Sequence, residues 1–284
     1  MSNRAGRQGV TLRSLASRGP YKVNWGAQHM KLEAATILET ARVTEELWAI
    51  RLQAPLIARE ARPGQFVHVR LGDGDDPLVR RPMSIYRIRQ DGIDLLVRMA
   101  GRGSQMMIEK PAGESLDCLG PLGNGFTVHP TSRNLLMVGG GSGVAPLVAL
   151  AEQAVAKGLS VVLLFGARSA DRVFPATLLP PELEYAVATD DGSLGRRGMV
   201  TDLLPDYLGW ADAVYACGPH PMFLSMLEVI RRARVQKSVQ LSMEENMACG
   251  VGACFGCVVE NRRGEMKSVC EDGPVFEMRE LAWG

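Results

Sequence analysis

An antiparallel β-barrel, then a doubly wound parallel α/β domain, then a small cysteine-rich module are expected along these 284 residues, because the residue pattern changes twice. Short β-branched and apolar runs broken by turn formers every ten or so positions indicate the barrel. Apolar strands alternating with helical stretches indicate the parallel sheet. Four of the six cysteines fall between positions 249 and 270 and fit neither pattern. The length suits two domains and an appended module. With 46% apolar and 22% charged residues, the chain has the composition of a globular protein with a substantial core. Its 32 basic residues nearly cancel 31 acidic ones, so no overall field favours nucleic acid or an anionic membrane. No apolar stretch approaches the roughly 18 to 20 residues that cross a bilayer, and no compact apolar signal segment is present. A soluble, cytoplasmic protein is the expectation.

Residues 1–30 contain Arg4, Arg7, Arg13, Arg18 and Lys22 and no acid. They read as a flexible basic tail, with an organellar transit peptide as the alternative. Residues 31–130 form the barrel unit, with strands expected at Gln65 to Leu71, Met83 to Ile88 and Ile93 to Met99. Turns at Arg62-Pro63-Gly64, Gly72 to Pro77 and Gln90-Asp91-Gly92 separate them. Residues 131–237 form the α/β unit, with strands at Leu135 to Val138, Val161 to Phe165, Tyr185 to Thr189 and Ala213 to Ala216. Helices are expected over Val144 to Lys157 and Pro221 to Ala233. Residues 238–284 form the cysteine module.

Cys249, Cys254, Cys257 and Cys270 are spaced C-x4-C-x2-C-x12-C. The first two intervals match the ligand loop of plant-type ferredoxins, which holds a 2Fe-2S cluster by four thiolates. Gly250, Gly252 and Gly256 are expected to let the backbone fold tightly, adopt positive φ and aim amides at sulfur. A structural zinc site is the alternative, although such sites generally use two tight cysteine pairs and only one is present here.

Gly139-Gly140-Gly141-Ser142-Gly143 follows an expected strand and opens a helix. Glycines there let a phosphate chain approach the backbone and the positive end of the helix dipole. Pro146 departs from the usual dinucleotide fingerprint, and a plain tight turn is the alternative. In the barrel half, Arg81-Pro82-Met83-Ser84 begins a strand and Gly101-Arg102-Gly103-Ser104 opens a short helix. An arginine fork beside a helix N-terminus is a suitable arrangement for a pyrophosphate. Cys217-Gly218-Pro219-His220 ends the last expected strand, at the sheet edge where ligands bind. Cys217 there could lie beside a reactive ring, whereas a nucleophilic pair with His220 is disfavoured by the intervening Gly-Pro turn. Cys118 reads as core packing.

Together these motifs resemble the ferredoxin-NADP reductase superfamily. Gly120-Pro121-Leu122-Gly123-Asn124-Gly125-Phe126, Glu244 to Cys254 and Cys270 to Phe276 narrow the resemblance to electron-transfer subunits of class 1B dihydroorotate dehydrogenases. The likeness runs from about Lys31 to Glu277 and leaves out the basic tail. It implies an FAD-binding barrel, with Arg81, Pro82, Met83 and Ser84 at the flavin and its phosphates. By the same likeness Leu96, Val97 and Arg98 line that cofactor, and Gly103 and Ser104 hold pyrophosphate. The α/β unit becomes a Rossmann-like NAD domain, with Gly139, Gly141 and Gly143 near the NADH phosphates. Cys217, Gly218 and Pro219 come near the nicotinamide. Asp190 and Asp191 would repel a 2'-phosphate and favour NAD over NADP, an effect that Arg168 opposes.

NADH gives up two electrons as hydride while a 2Fe-2S cluster accepts one at a time, so a carrier able to do both must stand between them, and FAD can. The resemblance also implies that dihydroorotate is oxidised on a separate FMN-bearing catalytic subunit. Two copies of each chain would make a heterotetramer serving pyrimidine (UMP) biosynthesis. A related reductase subunit of the sulfite reductase, hydrogenase or transhydrogenase type is the second reading. A zinc-holding interaction protein without redox chemistry is the third.

Overall fold

The computed structural model describes residues 30–72, 78–234 and 236–283. Positions 1–29 of the expected tail, and most of the turn expected at Gly72 to Pro77, lie outside the described residues. The barrel unit contains β1 (Lys31–Arg42), β2 (Leu47–Gln53), α1 (Pro55–Glu60), β3 (Phe66–Arg70), β4 (Arg81–Ile88), β5 (Gly92–Arg98), α2 (Arg102–Glu109) and β6 (Ser115–Leu122). Its strands close in the order β1-β2-β5-β4-β3-β6, and every pairing is antiparallel. Alternation decides what each strand contributes. Val67 and Val69 of β3 join Ile37, Ile50, Ile85, Ile93 and Leu95 in the barrel core, whereas Phe66 packs with the C-terminal half of the chain. Cys118 lies in this core as expected, and burial pushes its thiol up to about 12. Helix α1 starts with proline at its first position, and its amides at Leu56 and Ile57 donate to the Glu33 carboxylate at 3.2 and 3.0 Å.

The second unit runs through β7 (Asn134–Gly140), α3 (Val144–Ala156), β8 (Ser160–Ala167), β9 (Glu184–Thr189), β10 (Arg196–Arg197), α4 (Leu204–Leu208), β11 (Ala213–Cys217), α5 (His220–Arg232) and β12 (Ser238–Ser242). The cysteine module adds β13 (Val258–Glu260), β14 (Met266–Ser268) and β15 (Val275–Glu277). One sheet of the described residues takes the order β10-β9-β8-β7-β11-β12-β15. It is parallel except for β15, which returns antiparallel to β12. Helix α3 packs on one face with Leu135, Met137 and Phe165. Helices α4 and α5 pack on the other, with Leu136, Val138 and Val214.

The C-terminal stretch is therefore not a free-standing third unit. Ser238–Ser242 supplies the sheet's last parallel strand, and Val275–Glu277 its outer edge. The five residues of Ser238–Ser242 alternate polar and apolar, as a strand does, but their place beside β11 is set by a partner more than twenty positions away. Among the described residues of this stretch, β13 and β14 pair with each other in a small hairpin apart from the main sheet.

Several contacts fix the barrel against the sheet. Phe126 meets Tyr215 edge-on at 5.6 Å between ring centroids, and Tyr86 meets Phe174 at 6.1 Å. Arg87 pairs with Glu152 of α3 at 2.9 Å, and Arg172 pairs with Glu46 at 2.5 Å. The Gly120 to Phe126 motif fixes the cysteine module. Asn124 donates its side-chain amide to the carbonyls of Glu271 and Asp272 at 3.0 and 2.9 Å, and its backbone amide to Gly273 at 2.6 Å. The segment just after Cys270 is thereby tied to the barrel.

Candidate functional site

Three places in the structure carry chemistry-bearing residues. The first is the outer wall of the barrel around β4. Pro82 and Ser84 pair with His68 and Phe66 of β3, while Met83 pairs with Val67 and packs against the barrel core. Arg81 crosses to the start of α2, where a Cβ on Gly103 would lie 3.1 Å from the guanidinium Nε. The arginine and the helix end are thus adjacent, as a pyrophosphate site requires. Ser104 contributes differently from a free hydroxyl. Its Oγ accepts the amides of Ala100 and Gly101 at 2.9 and 3.1 Å and donates to the Gly101 carbonyl at 2.8 Å. That hydroxyl is engaged in its own helix cap rather than free for a ligand. On β5, Leu96 faces the nucleotide-domain core and Val97 the barrel core, so Val97 offers a ligand its backbone alone.

The second place is a cavity of about 490 Å³ between the barrel and the carboxyl edge of the sheet. Arg98, Gly141, Asp190, Gly218 and Pro219 all line it. Gly139 and Gly143 stand behind the lining. Gly139 packs near Leu147 and Phe165, and Gly143 lies directly against the backbone of Cys217 and Gly218. Cys217 is fully buried at the end of β11; burial and the nearby Glu244 carboxylate raise its pKa, and a hydrogen bond with Ser242 opposes them. No thiol–imidazole pair forms with His220, whose ring packs on Trp283 at 5.8 Å. Asp191 does not share the role of Asp190. Its carboxylate accepts the Ser193 amide and hydroxyl at 2.9 and 2.6 Å, which lowers its pKa and fixes the turn.

Sequence reasoning missed Thr44, Glu46, Arg172 and Glu244, which also line the cavity. They come from three separated segments, and only the Glu244 segment carried a signal, as part of the family resemblance. Enclosure by protein raises the Glu244 pKa, and Arg98 opposes the shift.

The third place holds the four cysteines. Cys249 contacts Cys254, Cys257 contacts Cys270, and Cys249 lies within electrostatic reach of Cys270. Among the described residues no three ligating side chains converge on one ion-sized point. The two-by-two arrangement fits a binuclear centre with two thiolates for each iron. The amides of Val251 and Gly252 point at Cys249 Sγ and Cys270 Sγ at 3.4 and 3.1 Å. Burial resists ionisation of Cys249, but the amides of Val251, Cys254 and Ala253 and the Cys254 thiol bring its pKa down to about 7. Gly250 and Gly252 take φ of +71° and +74° as expected. Gly256 does not, and Phe255 occupies the left-handed region instead at +53°. Gly256 lies beside Cys254, where an added Cβ would stand 3.4 Å from the sulfur.

Comparison with known proteins agrees with this geometry. Residues 244–282 match the family model described as the iron-sulfur cluster binding domain of dihydroorotate dehydrogenase B, and residues 137–227 match the oxidoreductase NAD-binding domain. The chain is 42% identical over 258 residues to the electron transfer subunit of dihydroorotate dehydrogenase B (NAD(+)) of Geobacillus sp. (strain WCH70), covering 89% of this chain and 99% of that one. The chain belongs to the family of dihydroorotate dehydrogenase B electron transfer subunits. The Bacillus caldolyticus member is 40% identical, over 88% of this chain and 98% of its own. Among solved structures, NADH-dependent reduced ferredoxin-NADP oxidoreductase, studied for flavin-based electron bifurcation, aligns with TM-score 0.78 at 28% identity. That alignment covers 88% of this chain and 90% of the other. In this family member the cluster-binding module, the nucleotide cleft and the barrel wall all abut one another.

Proposed function

We propose that this chain relays electrons between NAD(H) and a partner catalytic subunit of dihydroorotate dehydrogenase, by way of FAD on the barrel and a 2Fe-2S cluster on the four thiolates. The match of residues 244–282 to an iron-sulfur cluster binding domain carries the reading, and the C-x4-C-x2-C-x12-C spacing of the four thiols suits two irons better than one zinc. FAD when bound supplies a carrier that exchanges either hydride or single electrons. The chain's own residues bind and orient. Arg81 and the first turn of α2 hold pyrophosphate, and Pro82 and Ser84 face the flavin from the strand above. Leu96 and the backbones of Met83, Val97 and Arg98 complete that wall.

Gly139 and Gly143 shape the phosphate loop, Gly141 opens it to the dinucleotide, and Cys217, Gly218 and Pro219 set the floor under the nicotinamide. Asp190 stands on the cavity wall, where its charge favours a free ribose hydroxyl over a phosphate and so NAD over NADP. No residue of this chain is assigned a general acid or base role. Dihydroorotate oxidation belongs to the FMN-bearing partner, and the exposed Phe255 between two cluster ligands suits a docking face for it. We infer a heterotetramer acting in the cytoplasm in pyrimidine biosynthesis. Among the described residues no helix is long and apolar enough to cross a membrane.

Anaerobic purification tests the proposal. Two irons, two labile sulfides and one FAD per chain, with bleaching by NADH, are the expected result. Colourless protein would overturn it. Copurification with the partner and dihydroorotate-dependent NAD reduction then test the pathway. The likeness to the NADH-dependent ferredoxin-NADP oxidoreductase structure supports a second reading, a reductase subunit feeding another acceptor. Failure to copurify with a dihydroorotate-oxidising chain would favour it.

A further inference from the structure

His68 is fully buried, yet neither ring nitrogen has a hydrogen-bond partner of normal geometry. Leaving such groups unpaired is costly, so an apolar side chain would be the better filler for a purely structural position. Its surroundings indicate another role. The backbone of His68 sits opposite Pro82 in the β3–β4 ladder, within the strand pair that forms the flavin wall. Arg80 holds that backbone in place by donating to the His68 carbonyl at 3.2 Å while forking onto Asp117 at 3.1 and 2.8 Å.

The side chain reaches the other way, to the cluster loop. A Cβ on Gly250 would lie 2.5 Å from His68 Nδ1 and 3.0 Å from Cε1, so the ring rests on the glycine that follows Cys249. The backbone of Cys249 and Met247 provides the acceptors facing the ring. Phe66 closes the pocket edge-on, with centroids 6.4 Å apart. His68 thus joins the strand pair of the flavin wall to the glycine that follows a cluster ligand.

We propose that His68 is a positioning residue: its ring packs on Gly250 with an N–H turned toward the Met247 and Cys249 backbone, and so steers the cluster loop against the barrel and sets the cluster ligands relative to the flavin wall. This rests on the electron-relay reading above. Groups outside the ligand set that orient ligands commonly change affinity or activity by about 10- to 100-fold when removed.

The test compares His68→Leu, which keeps bulk without a donor, with His68→Gln, which restores an N–H, in full-length protein loaded with FAD and cluster. In H68L, flavin bleaching by NADH should keep its rate, while cluster reduction slows about 10-fold or more and the visible circular dichroism of the cluster changes. H68Q should recover most of both. Hydrogen exchange of residues 247–252 in metal-free full-length protein supplies a readout that needs no cluster, with faster exchange expected in H68L and not in H68Q. Wild-type behaviour in H68L, or equal impairment of H68L and H68Q, would overturn the proposal. If wild-type protein itself passes no electrons from flavin to cluster, the relay reading fails instead, and the two failures are told apart.

Discussion

Gly143→Ala is expected to damage the nucleotide cleft more than Gly141→Ala, although the first is buried and the second lines the cavity. At Gly143 an added Cβ would lie 2.3 Å from the Cys217 carbonyl oxygen, 2.5 Å from its carbon and 2.7 Å from the Gly218 nitrogen. These are backbone atoms of the turn that follows β11, so no side chain can swing away. The methyl stands roughly 1 Å inside contact distance, and overpacking of this kind costs typically 1–3 kcal/mol. With backbone on both sides, about 3 kcal/mol is expected. The phosphate loop and the Cys217–Gly218 turn must separate, and a shift of about 1 Å at a reacting site can lower rates about 100-fold.

Gly141 has φ of +56° and open space where a Cβ would go, so alanine there costs about 1 kcal/mol of conformational strain and no clash. Urea unfolding and stopped-flow flavin reduction by NADH measure the two quantities. Equal effects of the two substitutions, or native NADH reduction in G143A, would refute the packing argument.

Cys254→Ser should remove the cluster, seen as loss of iron and labile sulfide, while FAD content and NADH-dependent dye reduction persist. Arg81→Ala should weaken FAD retention by about 10- to 100-fold, the equivalent of losing charge-assisted hydrogen bonds worth roughly 1.5–3 kcal/mol, measured by flavin dissociation. Asp212 accepts the amides of Arg133 and Asn134 at 2.7 and 2.9 Å, and these bonds hold its pKa below the usual carboxylate value. The ionised form is thus favoured by folding, and its stabilisation is present above the unfolded pKa of about 4 and lost as pH falls through the lower folded value. Urea midpoints of Asp212→Ala and wild type should therefore differ at pH 7 and converge as the pH is lowered below about 4.

Much of the architecture was legible because its signals are local. The Val67/Val69 alternation, the Gly-rich start of α3 and the cysteine spacing each state their role within a few residues. What escaped depends on distant partners. The alternation in Ser238–Ser242 suits a strand, but its place in the parallel sheet shows only once Ala213–Cys217 lies beside it. Asn124 was visible as part of a motif, but its hydrogen bonds to the segment after Cys270 cross about 150 positions. A lone histidine in an apolar strand resembles any core residue, so His68 gave no warning of its contact with Gly250. Phe255 in the left-handed region was equally unreadable, since that region favours glycine and Gly256 was the natural candidate.

The return of Val275–Glu277 to the flank of Ser238–Ser242 has a practical corollary. A domain appended like a bead can be cut away, leaving an older reductase intact. Here truncation after residue 243 would strip the outer ribbon from a sheet and bare an unpaired row of amides and carbonyls, an invitation to aggregation. Shortened versions should precipitate rather than persist as a compact two-domain protein, so the iron site and the sheet stand or fall together.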